Sequence, residues 1–286
     1  MNIAKTLQNF SELVAFKHSI FSLPFIFIAM VVAADGWFGW KLLFLGVLAT
    51  LFARNFAMGF NRYLDRDIDK ANPRTANRPS VDGRVSTKSM LLFNAANALG
   101  FIAVSYFVNE LAFYLSIPVL LIIGSYSYFK RFSFLAHIIL GISLALAPLA
   151  GVVAVSETTY LWTLVLSVGV LFWVAGFDLL YSLQDMEFDK KHNLHSIPSR
   201  FGAQNTLIIA AGFHTITLIS WAAFVALASL GAFAWIAAVV AAIMLGYEHY
   251  LVRKDFTKID RAFFTVNGYL GIIFLIFIII DRIAYA

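Results

Sequence analysis

Nine apolar runs, most of them about 20 residues long, occupy most of this chain. They cover approximately 19–34, 42–62, 89–108, 111–129, 134–155, 160–180, 205–228, 232–251 and 264–281. A helix needs about 20 apolar residues to cross the hydrocarbon core of a bilayer. The spacing therefore predicts an all-α integral membrane protein with nine transmembrane helices. Only 13% of residues are charged, about half the usual share of roughly 25% in soluble domains. The 29 phenylalanines suit apolar walls that face lipid or an apolar substrate, and composition does not divide them between the two.

The connections between runs alternate in charge. Lys5 and Lys17, Arg62 to Lys88, Lys130 and Arg131, Lys190 to Arg200, and Arg253 to Arg261 fall on one side. The segments around Asp35, Asn109-Glu110, Ser156-Glu157 and Gly231 fall on the other, where Lys41 and Arg282 are the only basic residues. The positive-inside rule then places the N-terminus in the cytoplasm and the C-terminus outside, as an odd number of spans requires. A bacterial inner (plasma) membrane is the expected location. The same clustering explains the net charge of +5 by topology, so nucleic acid is not an expected partner and membrane lipid is. Lys17 before the first run and Val32-Ala33-Ala34 after it permit a cleaved signal peptide. Removal would leave the charge pattern without its partner, so the run is read as a retained span. With no cysteine, disulfides and thiolate metal sites are excluded.

Two acid-bearing segments carry the chemistry, Asn61-Arg62-Tyr63-Leu64-Asp65-Arg66-Asp67-Ile68-Asp69 and Tyr181-Ser182-Leu183-Gln184-Asp185-Met186-Glu187-Phe188-Asp189. A shift of 120 positions lays Asn61 on Tyr181, Asp65 on Asp185 and Asp69 on Asp189, as in a parallel internal repeat. Carboxylates four apart share a helix face, about 6 Å from one another. Four converging at a membrane surface would repel unless cations lay between them. Hard oxygen ligands short of a full cage suit Mg2+ carrying a phosphate-bearing substrate, and the Asn61 amide adds a neutral ligand. Asp67 and Glu187 fall on the opposite face by helical phase and are expected toward solvent or loop.

The two longest polar stretches, 65–88 and 185–203, each follow an acidic segment, and together with the spans they make a single domain over 1–286. Asn72-Pro73-Arg74, Asn77-Arg78-Pro79 and Ser196-Ile197-Pro198-Ser199-Arg200 mark turns. The guanidinium forks of Arg74 and Arg78 match phosphate oxygens, although basic residues are also ordinary in such a loop. Deeper in the membrane, Arg54 precedes Asn61 by seven residues and Asp178 precedes Asp185 by seven, about 10 Å further in. Charges at that depth face a cavity or each other. They are read either as an Arg54–Asp178 ion pair or as the polar floor of a pocket that binds a polar acceptor. Tyr126 and Lys130 share a face at the end of the fourth span, where both can reach a phosphate or simply anchor the interface. The six histidines show no zinc spacing, and no P-loop or serine nucleophile motif occurs.

Asn61-xxx-Asp65-xxx-Asp69 with Arg74-xxx-Arg78-Pro79, Tyr126-xxx-Lys130 and Asp178-xx-Tyr181-xxx-Asp185-xxx-Asp189 resembles the UbiA superfamily of membrane prenyltransferases over essentially the whole chain. Asp185-Met-Glu-Phe-Asp189-Lys-Lys and His195-Ser-Ile-Pro-Ser-Arg-Phe-Gly202 are most similar to its 4-hydroxybenzoate polyprenyltransferase branch. The resemblance implies helices around a central cavity, Mg2+ as cofactor, and a polyprenyl diphosphate with a small aromatic acceptor as partners. It implies that Asn61, Asp65 and Asp69 bind one Mg2+ and Asp185 and Asp189 a second. Arg74, Arg78, Tyr126 and Lys130 would hold the diphosphate, with Tyr181 also in the substrate site and Arg54 and Asp178 near the acceptor. Arg62 departs from the aspartate that many relatives carry there, which leaves the spaced ligands untouched.

The expected activity is transfer of the polyprenyl group to an aromatic ring carbon in ubiquinone or menaquinone synthesis. The leading acceptor is 4-hydroxybenzoate, its rival a dihydroxynaphthoate. Asp65, Asp69, Asp185 and Asp189 act on the leaving group, and Asp178 or an aspartate-bound water takes the ring proton. A cation or phosphate transporter is the alternative of another class. Its sites would lie near the bilayer midplane, whereas these acids lie at helix ends on one side.

Overall fold

The computed structural model describes residues 3–14, 23–129 and 131–285, and every regular element among them is helical. In chain order these are α1 (Ile3–Leu13), α2 (Leu23–Ala33), α3 (Trp40–Leu64), α4 (Arg66–Ala71), α5 (Thr87–Val108), α6 (Glu110–Phe129) and α7 (Ala136–Ser156). There follow α8 (Leu161–Ser182), α9 (Met186–Lys191), α10 (Ile197–Leu227), α11 (Ala232–Lys254), α12 (Ile259–Arg261) and α13 (Asn267–Ala284). Eight helical runs among the described residues are long and apolar enough to cross a membrane. The ninth expected span, 19–34, is represented by α2. Its 11 residues rise about 16 Å, and residues 15–22, with Lys17 and His18, lie outside the described residues.

Local chemistry moves several expected boundaries. Helix α10 begins at Ile197, eight residues before the expected span, because Ser196 and Ser199 form a reciprocal capping box. It then breaks at Gly202, whose φ of 79° and ψ of 169° lie outside the helical region. The last span begins at Phe256 with a 3-10 turn, continues through α12 and a π-helical turn over Ala262–Val266, and straightens into α13.

Helix α8 is the most enclosed span. It packs on α7 and α10, around fully buried Phe25, Trp173, Trp221, Phe224 and Phe274. The Phe25 and Trp221 rings stack with centroids 5.3 Å apart. Two glycines set how closely α8 and α10 approach. A Cβ at Gly169 would lie 2.3 Å from Trp221 Cδ1, and one at Gly176 would lie 2.4 Å from the His214 ring. Small residues at such contacts let transmembrane backbones close together. Helices α3, α5 and α6 form a second packing group around Phe101, Leu120 and Ile123. One acidic segment therefore belongs to each group.

Candidate active site

The two acidic segments fold alike. In both, a long apolar helix breaks near an aspartate and restarts as a six-residue helix, α4 after Asp65 and α9 after Asp185. The hinge residues have nearly the same backbone, φ −88° and ψ 8° at Asp65 and φ −99° and ψ 0° at Asp185. The 120-residue offset is thus a repeat of structure. The second copy differs by a 3-10 turn over Leu183–Asp185 before α9. The first bend keeps its helical bonds: the Asp65 N–H donates to the Asn61 carbonyl at 2.9 Å, and the Asp69 N–H to that of Asp65 at 2.7 Å. Asp65 and Asp69 are buried, whereas Asp67 and Glu187 face outward as helical phase predicts.

Arginines of the intervening loop reach back over the acids. Arg78 Nη1 donates to Asp69 Oδ1 at 2.6 Å, and Arg62 lies 4.0 Å from Asp69 Oδ2. Asn61 Nδ2 donates to Asp65 Oδ2 at 2.8 Å and to the buried Ser127 hydroxyl at 3.1 Å. The loop then crosses to the second segment. Arg74 grips the Asp185 carboxylate with both fork arms, Nε on Oδ1 at 2.9 Å and Nη2 on Oδ2. Its Nη1 donates to the Tyr181 hydroxyl at 2.9 Å. Asn72 Nδ2 donates to the same Asp185 Oδ1 at 2.9 Å. Burial alone would weaken the Arg74 charge, but the bonds to Asp185 and Tyr181 outweigh it and raise its pKa. By sequence, Asn72 before Pro73 is a turn former. Its 113-residue reach to Asp185 has no local signature.

Helix α4 is anchored from outside as well. Arg131 binds Asp67 through both guanidinium arms, at 2.6 and 3.0 Å, and the Leu64 carbonyl at 2.6 Å. The Arg131 bond holds Asp67 below the usual carboxylate pKa. Arg84 ties the loop to α1 by donating to Glu12 at 2.5 and 2.9 Å.

Deeper in, of the two readings of Arg54 and Asp178, the mutual ion pair gives way to different partners. Asp178 Oδ2 meets His137 Nδ1 at 2.7 Å, and Arg54 Nη1 donates to the Val14 carbonyl at the end of α1 at 3.0 Å. Packing of α7 on α8 brings His137 to the carboxylate, and no spacing along the chain announces that contact. Tyr126 lies within electrostatic reach of Arg54, Arg62, Asp65 and Asp178. Lys130 lies outside the described residues. The histidines, expected to be scattered, also include a buried group: His214 Nδ1 and His249 Nε2 are 3.0 Å apart beside Glu248, which accepts from Asn267 at 2.7 Å.

The structure therefore brings Asn61, Asp65, Asp69, Arg74, Arg78, Tyr181 and Asp185 to one mouth, with Tyr126 and Asp178 beneath. Among the described residues no three acidic or histidine side chains stand close enough to share an ion, and Arg78 and Arg74 hold Asp69 and Asp185 respectively. The donors themselves fit a hard cation. They are carboxylate and amide oxygens, and Asp69 Oδ2 is buried with no hydrogen bond from the described residues.

Comparison with known proteins gives the family and the fold. Residues 22–278 match the UbiA prenyltransferase family. The 4-hydroxybenzoate octaprenyltransferase of Herminiimonas arsenicoxydans is 30% identical over 249 residues, 85% of each chain. The apo structure of a UbiA homolog from Aeropyrum pernix aligns with a TM-score of 0.83 and 32% identity, covering 92% of this chain and 98% of that one. A UbiA homolog from Archaeoglobus fulgidus bound to DMAPP and Mg2+ shares the fold, with a TM-score of 0.77 and 20% identity over 97% and 100% of the two chains. A family match of that extent, on an all-helical membrane fold with paired acidic turns, makes this chain a member of the UbiA prenyltransferase family.

Proposed function

We propose that the protein transfers a polyprenyl group from its diphosphate to a ring carbon of a small aromatic acid, 4-hydroxybenzoate foremost, in quinone synthesis. The observation that carries this reading is the bridge from one acidic segment to the other, in which Asn72 and Arg74 of the first loop hold Asp185 of the second. That bridge supports action of both segments on a single anionic group. The curated relative named for that activity supports the choice of acceptor. The positive-inside pattern supports a cytoplasmic mouth and N-terminus with the C-terminus outside.

Asn61, Asp65 and Asp69 would hold one Mg2+ and Asp185 and Asp189 another. Held there, such ions would supply positive charge against the charge developing on the leaving diphosphate. Arg74 and Arg78 now neutralise the carboxylates. Their forks fit phosphate oxygens equally well, so an arriving diphosphate gives each a new anion and frees Asp69 and Asp185. Tyr126 and Lys130 complete the diphosphate grip. The allylic C–O bond breaks with its electron pair leaving on the diphosphate, and the phenol ring attacks the carbocation through carbon. Phe56 and Phe60, stacked with centroids 5.6 Å apart just below Asn61, offer faces that stabilise such a cation. Exclusion of water by the surrounding spans suppresses hydrolysis. Asp178 takes the ring proton and aromaticity returns.

The test supplies purified protein in liposomes with a polyprenyl diphosphate, Mg2+ and labelled 4-hydroxybenzoate or dihydroxynaphthoate. Prenylated 4-hydroxybenzoate is expected from the wild type and none from Asp65→Ala or Asp185→Ala. Exclusive use of the naphthoate would replace the acceptor, and full activity in both variants would remove the assignment of the acids.

A further inference from the structure

Asp178 sits two turns of α8 below Asp185, and its side chain is 23% exposed, whereas that of His137 is only 6% exposed. His137 lies in the first turn of α7, and its Nδ1 meets Asp178 Oδ2 at 2.7 Å. Its other ring nitrogen, Nε2, is buried without a hydrogen bond from the described residues. A proton on Nε2 would be a stranded donor, which protein interiors avoid. The tautomer that strands no donor carries its proton on Nδ1, inside the bond to Asp178. Nε2 is then a buried lone pair that meets no donor among the described residues, so the one hydrogen bond His137 makes with its ring is to Asp178, and its influence runs through that carboxylate.

We infer that His137 is a positioning residue for the prenyl transfer. It holds Asp178 Oδ2 so that the second carboxylate oxygen, Oδ1, faces the acceptor ring. This inference rests on the function proposed above. In the step it serves, the ring C–H bond breaks, its electron pair returns to the ring, and the proton passes to Asp178 Oδ1. The Nδ1–H bond to Oδ2 persists before and after, because that oxygen accepts whether the carboxyl group is ionised or protonated. Tyr126 lies within electrostatic reach of Asp178, so the proposed diphosphate grip and the carboxylate held by His137 are neighbours.

Steady-state kinetics of His137→Phe, His137→Asn, Asp178→Asn and the His137→Phe/Asp178→Asn double variant test the assignment. Loss of a hydrogen-bonding partner that orients a working ligand costs on the order of 10–100-fold. His137→Phe should lower kcat by about that factor with KM for either substrate changed by less than about twofold. Asparagine keeps a donor near the Nδ1 position, so His137→Asn should recover kcat to within about threefold of wild type. The double variant should be no slower than Asp178→Asn, since residues acting through one group are not additive. A His137→Phe kcat within about twofold of wild type, multiplying losses in the double variant, or an asparagine variant as slow as the phenylalanine would each overturn the inference. Should His137→Phe not fold, 15N-histidine NMR of the full protein decides instead. A downfield Nδ1 proton present in wild type and absent in Asp178→Asn is expected, and its absence from wild type refutes the bond. A wild type that prenylates no aromatic acceptor would instead remove the proposed reaction itself, a result separable from an active wild type indifferent to His137.

Discussion

Arg78→Ala probes the idea that loop arginines and cations share the same carboxylates. Arg78 Nη1 lies 2.6 Å from Asp69 Oδ1, with the arginine side chain 25% and the aspartate 5% exposed. Unit charges about 4 Å apart attract by about 4 kcal/mol at an effective dielectric near 20. Truncating one partner of a fully buried pair costs about 3–5 kcal/mol. Here water reaches a quarter of the arginine, and Arg62 at 4.0 Å still faces Asp69, so the loss shrinks to about 1–2 kcal/mol. For a chain of this size that corresponds to a fall in Tm of about 2–4 °C. Thermal unfolding in detergent with chelator measures it. Repetition in Mg2+ should narrow the gap between variant and wild type, because a cation at Asp69 replaces the missing positive charge and binds the folded state preferentially. With both substrates present, loss of one donor to the leaving group should lower kcat by about 100-fold. The reasoning is refuted by a Tm gap that is equal in chelator and Mg2+ together with unchanged kcat.

Arg74→Lys keeps the charge but not the fork that spans Asp185 and Tyr181, so kcat/KM for the prenyl diphosphate should fall by about tenfold; wild-type kinetics would show that the fork is idle. Asp67, held below the ordinary carboxylate pKa by Arg131, contributes stability above its unfolded value of about 3.9 and loses it as pH falls through the depressed folded value. Asp67→Asn should therefore flatten the acid limb of a Tm-versus-pH profile below about pH 4, by a small amount since the pair is solvent-exposed. Gly169→Ala places a Cβ against Trp221 and should lower Tm through overpacking of about 1–3 kcal/mol, while KM for both substrates stays near wild type; unchanged stability would show that α8 and α10 have room to spare.

Much of this architecture is written locally. Eight of the nine apolar runs appear as spans because a lipid-buried backbone must satisfy its own hydrogen bonds. The 120-residue offset reappears as matching hinges at Asp65 and Asp185 because each depends on a few neighbouring residues. Asp67 and Glu187 point outward for the same reason, helical phase being a property of one segment. The start of α10 escaped because the serine pair at Ser196 and Ser199 caps a short turn ahead of the apolar run.

The partners of the charged residues belong to the tertiary structure. Asp178 takes His137 in place of Arg54, Asn72 reaches Asp185 across the mouth, and Arg74 and Arg78 occupy carboxylates that spacing alone assigned to cations. Each such choice depends on how far one helix is rotated and shifted against another. That is set by shape, by the glycines of α8 and the rings of α10, and side-chain spacing along one helix carries no record of it. Thus helix number, membrane setting and the two acidic faces follow from the chain's own order, whereas which group meets which across the mouth is decided by packing between helices distant in sequence.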